Sequence, residues 1–332
     1  MIFSPTAQAA ALHKVILILG GSGFIGTRLT AELQKRGEDI RVGDLIQSKA
    51  FPHLWAHCDI RREETLVELF RQAGAVINLA AEHRDDVRPI SRYHETNVEG
   101  AERVCQAARK AGISKIIFTS SVAVYGFPLG QVDEAGPFAP FNPYGQTKLE
   151  AEGIYRAWAE ENPTRSLVIV RPTVVFGEGN RGNVYNLLHQ IANGKFLMVG
   201  SGANVKSMAY VENIAAFLAH LLSMESGVHI FNYVDGPDMD TNTLVRHILE
   251  CLGRSSKMPL KIPESVALAG ATVLDGLARL TGRSFPISAI RVRKFCESTQ
   301  FQANRVAETG FTPPYSLREG LDRTVRFEFS VK

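Results

Sequence analysis

The chain has 332 residues and is 45% hydrophobic, enough for one large two-lobed domain or two modest ones around a packed core. A net charge of +3 without any long Lys/Arg run argues against a nucleic-acid partner. The cysteines Cys58, Cys105, Cys251 and Cys296 are far apart and form no Cys-x-x-Cys pair, which argues against a metal site and a disulfide framework and makes a reducing cytoplasm the expected home.

Residues 1–13, MIFSPTAQAAALH, lack the basic start of a secretory signal and are too short and broken to span a bilayer, so they read as a flexible tail. From residue 14 to about 172, short apolar runs alternate with amphipathic stretches. The runs are KVILIL, DIRVGD, HLWAHCD, AVINLAA, KIIFTSS and SLVIVRP; the helical patterns lie at 24–36, 62–73, 97–111 and 146–160. This alternation predicts an α/β fold, a Rossmann-like doubly wound parallel sheet with helices on both faces. Beyond 172 the rhythm is irregular: Gly, Asn and Pro punctuate 176–207, a helix and strand return at about 211–234, and loops with short helices follow.

VILILGGSGFIGTRLTAEL is a buried strand, a glycine turn and a helix. Gly20, Gly23 and Gly26 fit one glycine spacing and Gly21, Gly23 and Gly26 another, so both registers stand. In either, the bare backbone can approach a pyrophosphate at the N-terminus of the helix. Asp44 ends the second run 18 residues past Gly26, where an acid accepts hydrogen bonds from ribose hydroxyls and repels a 2′-phosphate. No arginine follows it directly, so NAD is favoured over NADP. Asp59, after the third run, reads either as an adenine contact or as a helix cap. The expected division is therefore an NAD-binding domain over 14–172 with 209–234 returning to it, and a smaller, partly interleaved substrate-binding lobe over 173–208 and 235–332.

FNPYGQTKLEAE, residues 141–152, opens a helix: Asn142 suits the cap, Pro143 the first helical position. Lys148 then lies one turn from Tyr144, and both the ammonium and the helix dipole favour phenolate over phenol. A tyrosine that works as a base near neutrality needs such help.

Taken together, GGSGFIG, Asp44, CDIR, INLAA, HETNVEG, FTSSVAVYG, NPYGQTK and VRPTVVFG resemble the extended branch of the short-chain dehydrogenase/reductase superfamily, the sugar-nucleotide epimerases and dehydratases, over nearly the whole chain. The resemblance implies Tyr144 as acid/base, Lys148 holding the nicotinamide ribose, and Ser121 as the hydroxyl partner. It places Phe24, Ile25, Ile60, Leu79, Ala80, Ala81, Asn97, Ser120 and Pro172 beside the cofactor along with the glycines, Asp44 and Asp59. Asn97 reads equally as a group that positions water or substrate and as a helix cap.

AAEHRDDV, RGNVYNLLHQIANGKFLMVG, KSMAYVENI, IRVRKFCESTQF and LDRTVRFEF are similar to a narrower group, the epimerases that interconvert N-acetylglucosamine and N-acetylgalactosamine linked through diphosphate to undecaprenol, for surface polysaccharide such as O-antigen. UDP-galactose 4-epimerases carry Asn where this chain has Val174, and Arg where it has Lys206; both hold the UDP diphosphate, so their absence puts an ordinary UDP site in doubt. Alternatives are a UDP-sugar 4-epimerase and a 4-keto-sugar reductase. His83, Arg84, Ser121, Val122, Asn183, Lys206 and Arg291 are the expected substrate contacts, with Arg181 and Arg293 as further candidate cations for the diphosphate. The family implies a homodimer. IPESVALAGATVLDGLARLTG, 262–282, followed by RVRK, reads either as a helix lying on the inner face of the cytoplasmic membrane or as a core or dimer-interface helix.

Overall fold

The structure is a computed structural model describing residues 15–84, 87–127, 130–254, 258–281 and 289–329; the expected tail at 1–13 lies outside them. The apolar runs become the parallel strands β1 (Val15–Leu19), β2 (Ile40–Asp44), β3 (Trp55–His57), β4 (Ala73–Asn78), β5 (Lys115–Thr119) and β6 (Ser166–Pro172). A seventh, β7 (Gly227–Tyr233), joins β6 at the sheet edge. The spatial order is β7-β6-β5-β4-β1-β2-β3, with the reversal of strand order between β4 and β1. An open sheet of this order binds ligands beyond the carboxyl ends of its strands at that reversal.

The strands read as continuous apolar runs because both faces are covered. Leu17, Leu19, Val76, Ile116, Phe118, Leu167 and Ile169 face one side. Against them pack Leu66 and Phe70 of α2 (Glu63–Gln72), Val104 of α3 (Gly100–Ala111), and Tyr155 and Trp158 of α4 (Pro143–Glu160). Ile16, Ile18, Val42, Ile77, Ile117, Val168 and Val170 face the other side, under Leu29 and Leu33 of α1 (Phe24–Lys35) and Ile214, Phe217 and Leu218 of α5 (Val211–His220). The chain leaves the sheet after β6 and returns through α5 and β7. A second core joins helices Asn183–Ala192, Thr241–Cys251 and Leu317–Phe329 through Leu188, Ile191, Leu244, Ile248, Leu321 and Val325.

α4 begins at Pro143 as expected, capped by the Asn142 side chain, which accepts from Gly145 N at 2.8 Å. The helix expected from 97 is preceded by a helical turn at Ser91–His94 and a π-turn at Glu95–Glu99, so Asn97 sits inside an existing helix. π-turns of this kind re-aim side chains toward functional sites.

Backbone geometry leaves no room for side chains in the glycine turn. Gly20 has φ +74°, and a Cβ there would lie 2.7 Å from Ala80 N. A Cβ on Gly26 would lie 2.5 Å from the Gly21 Cα. Gly20→Ala therefore meets both a left-handed backbone and a fixed neighbour, and is expected to cost about 2 kcal/mol, read as a fall in the urea midpoint at unchanged m-value.

Candidate active site

The crevice lies where β1, β4 and β5 end. Gly23 is the residue before α1 and supplies no side-chain cap, leaving the first-turn amides of α1 facing the crevice. Asp44, at the end of β2, accepts from Ser22 N and Ile46 N, each at 3.0 Å, which ties the carboxylate to the glycine turn. Leu79 N donates to Leu19 O at 2.9 Å and Ala80 N to Asn78 Oδ1 at 3.0 Å, so 79–81 form the opposite wall.

The start of α4 forms the floor. Gly145 has no side chain where a Cβ would lie 2.5 Å from the Ala123 carbonyl, so α4 packs directly on the short helix Val122–Tyr125. That contact brings Tyr144 to Ser121, and the two hydroxyls share a hydrogen bond. Ser121 Oγ also accepts from Ala123 N at 3.1 Å. Lys148 is buried; its ammonium donates to Thr119 O at 2.7 Å and lies 4.7 Å from the centre of the Phe118 ring. Burial pushes the Tyr144 phenol up to about 12, opposed by the Ser121 hydrogen bond. Burial likewise pulls the Lys148 ammonium down to about 7, opposed by the Glu152 carboxylate. The expectation that Lys148 and the helix dipole leave the phenol acidic is thus corrected: loss of water raises it, and the Ser121 hydroxyl is what opposes that.

Three further side chains find partners within the protein. Asn97 lies inside a helix and is not its cap: its amide accepts from Glu82 N at 2.9 Å and donates to Glu82 O and Thr147 Oγ1, both at 3.0 Å. It pins the wall after β4 to α4. The Ser120 hydroxyl points away from the crevice and donates to Glu152 Oε1 at 2.6 Å. Asp59 holds Arg61 through two hydrogen bonds of 2.8 and 2.7 Å, which lowers its pKa, and the cap position of α2 belongs to Arg62.

Residues 16–233 match the NAD dependent epimerase/dehydratase family. The chain is 46% identical over 321 residues, 96% of each chain, to the N-acetyl-alpha-D-glucosaminyl-diphospho-ditrans,octacis-undecaprenol 4-epimerase of Escherichia coli O157:H7. It is 27% identical to a UDP-glucose 4-epimerase of Vibrio cholerae, over 95% of each chain. Among solved structures, MoeE5 in complex with UDP-glucuronic acid and NAD superposes with a TM-score of 0.74 at 25% identity, covering 94% of this chain and 98% of that one.

The chain belongs to the NAD-dependent epimerase/dehydratase family.

It is an epimerase of this family and its cofactor is NAD. The residues present fit that group: Gly20 and Gly26 keep the turn free of side chains, and Ser22 Oγ and Thr119 Oγ1 are buried polar atoms without a protein partner, one in the glycine turn and one at the end of β5. Phe24 and Ile25 are half-buried in the first turn of α1, and Ile60 is buried behind Asp59. Pro172 ends β6 in register with Tyr233.

On the substrate side the picture is more open. His83 and Arg84 are exposed, and Arg84 pairs with Glu82 at 3.6 Å. Val122 is half-buried beside Ser121, and Asn183 is exposed at the first position of its helix. Lys206 is half-buried; burial lowers its pKa, and the nearby Glu297 carboxylate opposes the shift. Arg181 is exposed and committed to Glu328 at 2.9 Å, so it is a surface pair. Arg293 is exposed, and the side chain of Arg291 lies outside the described residues. No cluster able to hold a metal occurs among the described residues.

Sequence reasoning missed Glu152, Arg171 and Thr147. The signal for the first two was present: a charged residue closing the apolar run SLVIVRP needs a buried partner, and Glu152 lies one turn past Lys148. Tyr144→Phe keeps the ring and removes the shared hydrogen bond, so kcat is expected to fall about 10³-fold with the melting temperature held. Asn97→Ala strands the Glu82 amide and is expected to cost about 2 kcal/mol in chemical unfolding.

Proposed function

We propose that this chain is a 4-epimerase interconverting N-acetylglucosamine and N-acetylgalactosamine on undecaprenyl diphosphate, working through a 4-keto sugar in surface polysaccharide synthesis. The observation that carries the chemistry is the half-buried Tyr144 phenol hydrogen-bonded to Ser121, one turn from a buried lysine. The 46% identity to the undecaprenyl-linked epimerase supports the substrate.

When bound, NAD supplies the two-electron oxidation and reduction at C4. Gly20, Gly23 and the first turn of α1 would hold its pyrophosphate, Asp44 the adenosine ribose, and Lys148 the nicotinamide ribose. Tyr144 takes the proton of the sugar 4-hydroxyl, and Ser121 stabilises the phenolate by its hydrogen bond. The keto sugar turns in the pocket, and Tyr144 then returns the proton to the oxygen on the inverted carbon. No net redox follows, so a cofactor retained through the cycle serves every turnover.

Two features support the lipid carrier. Val174 is 39% exposed where UDP-sugar relatives place a diphosphate-holding Asn, and valine offers no hydrogen bond. Lys206, half-buried across the adjoining strands, is the cation for the diphosphate.

The second feature is the helix Glu264–Thr281, whose Val266 and Val273 are 59% and 63% exposed, with Leu260 at 72% and Ile290 at 62% beside it. Ala271 is the buried residue among its described side chains. Between Arg254 and Lys294 the sequence carries eight Lys and Arg against two acids, while the whole chain is only +3. An exposed apolar helix in the most basic stretch suits an anionic bilayer surface, and no helix among the described residues is long and apolar enough to cross a membrane.

Purified protein offered UDP-linked and undecaprenyl-diphosphate-linked N-acetylglucosamine in parallel is expected to yield the galacto product from the lipid-linked sugar at the higher kcat/KM; conversion of the UDP sugar alone would reject the carrier. Vesicles rich in phosphatidylglycerol are expected to co-sediment the protein in low salt, with at least a tenfold loss for Val273→Glu. Equal sedimentation of the variant would remove the membrane contact.

A further inference from the structure

A buried polar network joins α4 to the strand end that faces it, and the proton transfers above make no use of it. Glu152 lies one turn beyond Lys148 and is 1% exposed; Arg171, on β6, is 0% exposed. The guanidinium grips the carboxylate on both oxygens, Nε to Oε1 at 2.8 Å and Nη2 to Oε2 at 2.6 Å. Its remaining nitrogen donates to the Tyr125 hydroxyl at 2.6 Å and the Glu134 carbonyl at 3.1 Å, and Tyr125 donates to Asn232 Oδ1 at 2.8 Å. The carboxylate has one more partner: Ser120 Oγ donates to Oε1 at 2.6 Å.

A buried ion pair is weak evidence for stability, because desolvation of both charges offsets their attraction. Its position is more informative. Ser120 sits between Thr119, whose carbonyl accepts the Lys148 ammonium at 2.7 Å, and Ser121, which shares a hydrogen bond with Tyr144. The backbone of Ser120 continues the sheet by donating to Val170 O at 2.7 Å. Its side chain anchors the segment from behind, so a rotation of this segment would displace both catalytic contacts together.

We propose that Glu152, clamped by Arg171, is a positioning residue: through Ser120 it fixes the 119–121 segment so that the Thr119 carbonyl meets Lys148 and the Ser121 hydroxyl meets Tyr144. The inference rests on the assignment of Tyr144, Lys148 and Ser121 as the proton-handling set. Tyr125, itself held by Asn232, and the Glu134 carbonyl fix the guanidinium, and the guanidinium orients the carboxylate. Glu152 also acts on Lys148 through space. The titratable groups around that ammonium are Tyr144 and Glu152 of its own helix and Arg171 behind Glu152 on β6, while β5 offers the Phe118 ring and the Thr119 carbonyl.

The test is a ¹³C-lysine titration of the full-length protein by NMR, with the Lys148 signal assigned by Lys148→Met, read beside steady-state kinetics on the lipid-linked sugar. Ser120→Ala leaves the ion pair in place. It is expected to move the Lys148 midpoint down by about one pH unit and to lower kcat about tenfold with KM within about twofold. Glu152→Gln is expected to shift the midpoint further, and Glu152→Asp, which keeps the charge, to recover most of kcat. A Lys148 midpoint unmoved by Ser120→Ala overturns the proposal, as does equal kcat for the Asp and Gln variants. Should Glu152→Gln not fold, Ser120→Ala decides alone. The titration needs no substrate, so a shifted midpoint in a protein that epimerises neither sugar would support the positioning role while rejecting the proposed function.

Discussion

The site depends on two places where backbone lies against backbone with nothing between. At the reversal of strand order, the Gly20 Cα is pressed toward the Leu79–Ala80 peptide, and Gly26 rests on Gly20 and Gly21. On the far side of the crevice, Gly145 lets α4 touch the Ala123 carbonyl. A methyl group at either place would push a wall outward by the width of a carbon atom. The wall positions then follow: Asp44 is drawn to the turn through Ser22 N, and Tyr144 reaches Ser121 because its neighbour has no side chain. Glycine's lack of a Cβ is here a packing requirement, with the left-handed φ of Gly20 adding a conformational one.

Burial then sets the electrostatics, and it acts oppositely on the two titratable groups. Both shifts favour the uncharged form, upward for the phenol and downward for the ammonium, because each charge loses its water. What counters them is short-range: a hydroxyl, a carbonyl and one carboxylate, each delivered by a different element. Acid/base chemistry in such a place depends on orientation as much as on charge, since a hydrogen bond displaced by an ångström loses much of its effect. Asn97 serves the same end from the other wall, spending its amide on Glu82 and Thr147 to hold β4's extension against α4.

The smaller lobe contrasts with this tightness. Its core is built on three helices, yet the helix Glu264–Thr281 contributes little to it and presents valines to solvent amid basic sequence. A sheet-bound catalytic centre joined to an apolar, cationic periphery matches a substrate with a polar sugar at one end and a lipid at the other. The excess of basic residues in this stretch of sequence is what the proposed contact with an anionic surface draws on.

Periodicity and turn chemistry in the sequence were enough for the doubly wound sheet, the glycine turn, the Asn142 cap and the one-turn spacing of Tyr144 and Lys148, because each depends on residues close in the chain. The glycine doublet left two registers open, and the contacts that bar a side chain there, Ala80 at Gly20 and Val42 at Gly21, come from distant parts of the chain. The same holds for Asn97, Ser120 and Asp59, whose side-chain directions depend on Glu82, Glu152 and Arg61 in their folded positions. Local pattern places a phenol near an ammonium, whereas the degree to which either keeps its water is a property of the whole packed interior. For that reason the sequence alone set the one-turn spacing of Tyr144 and Lys148, and the tertiary structure decided which partners surround them and in which direction their acidities move.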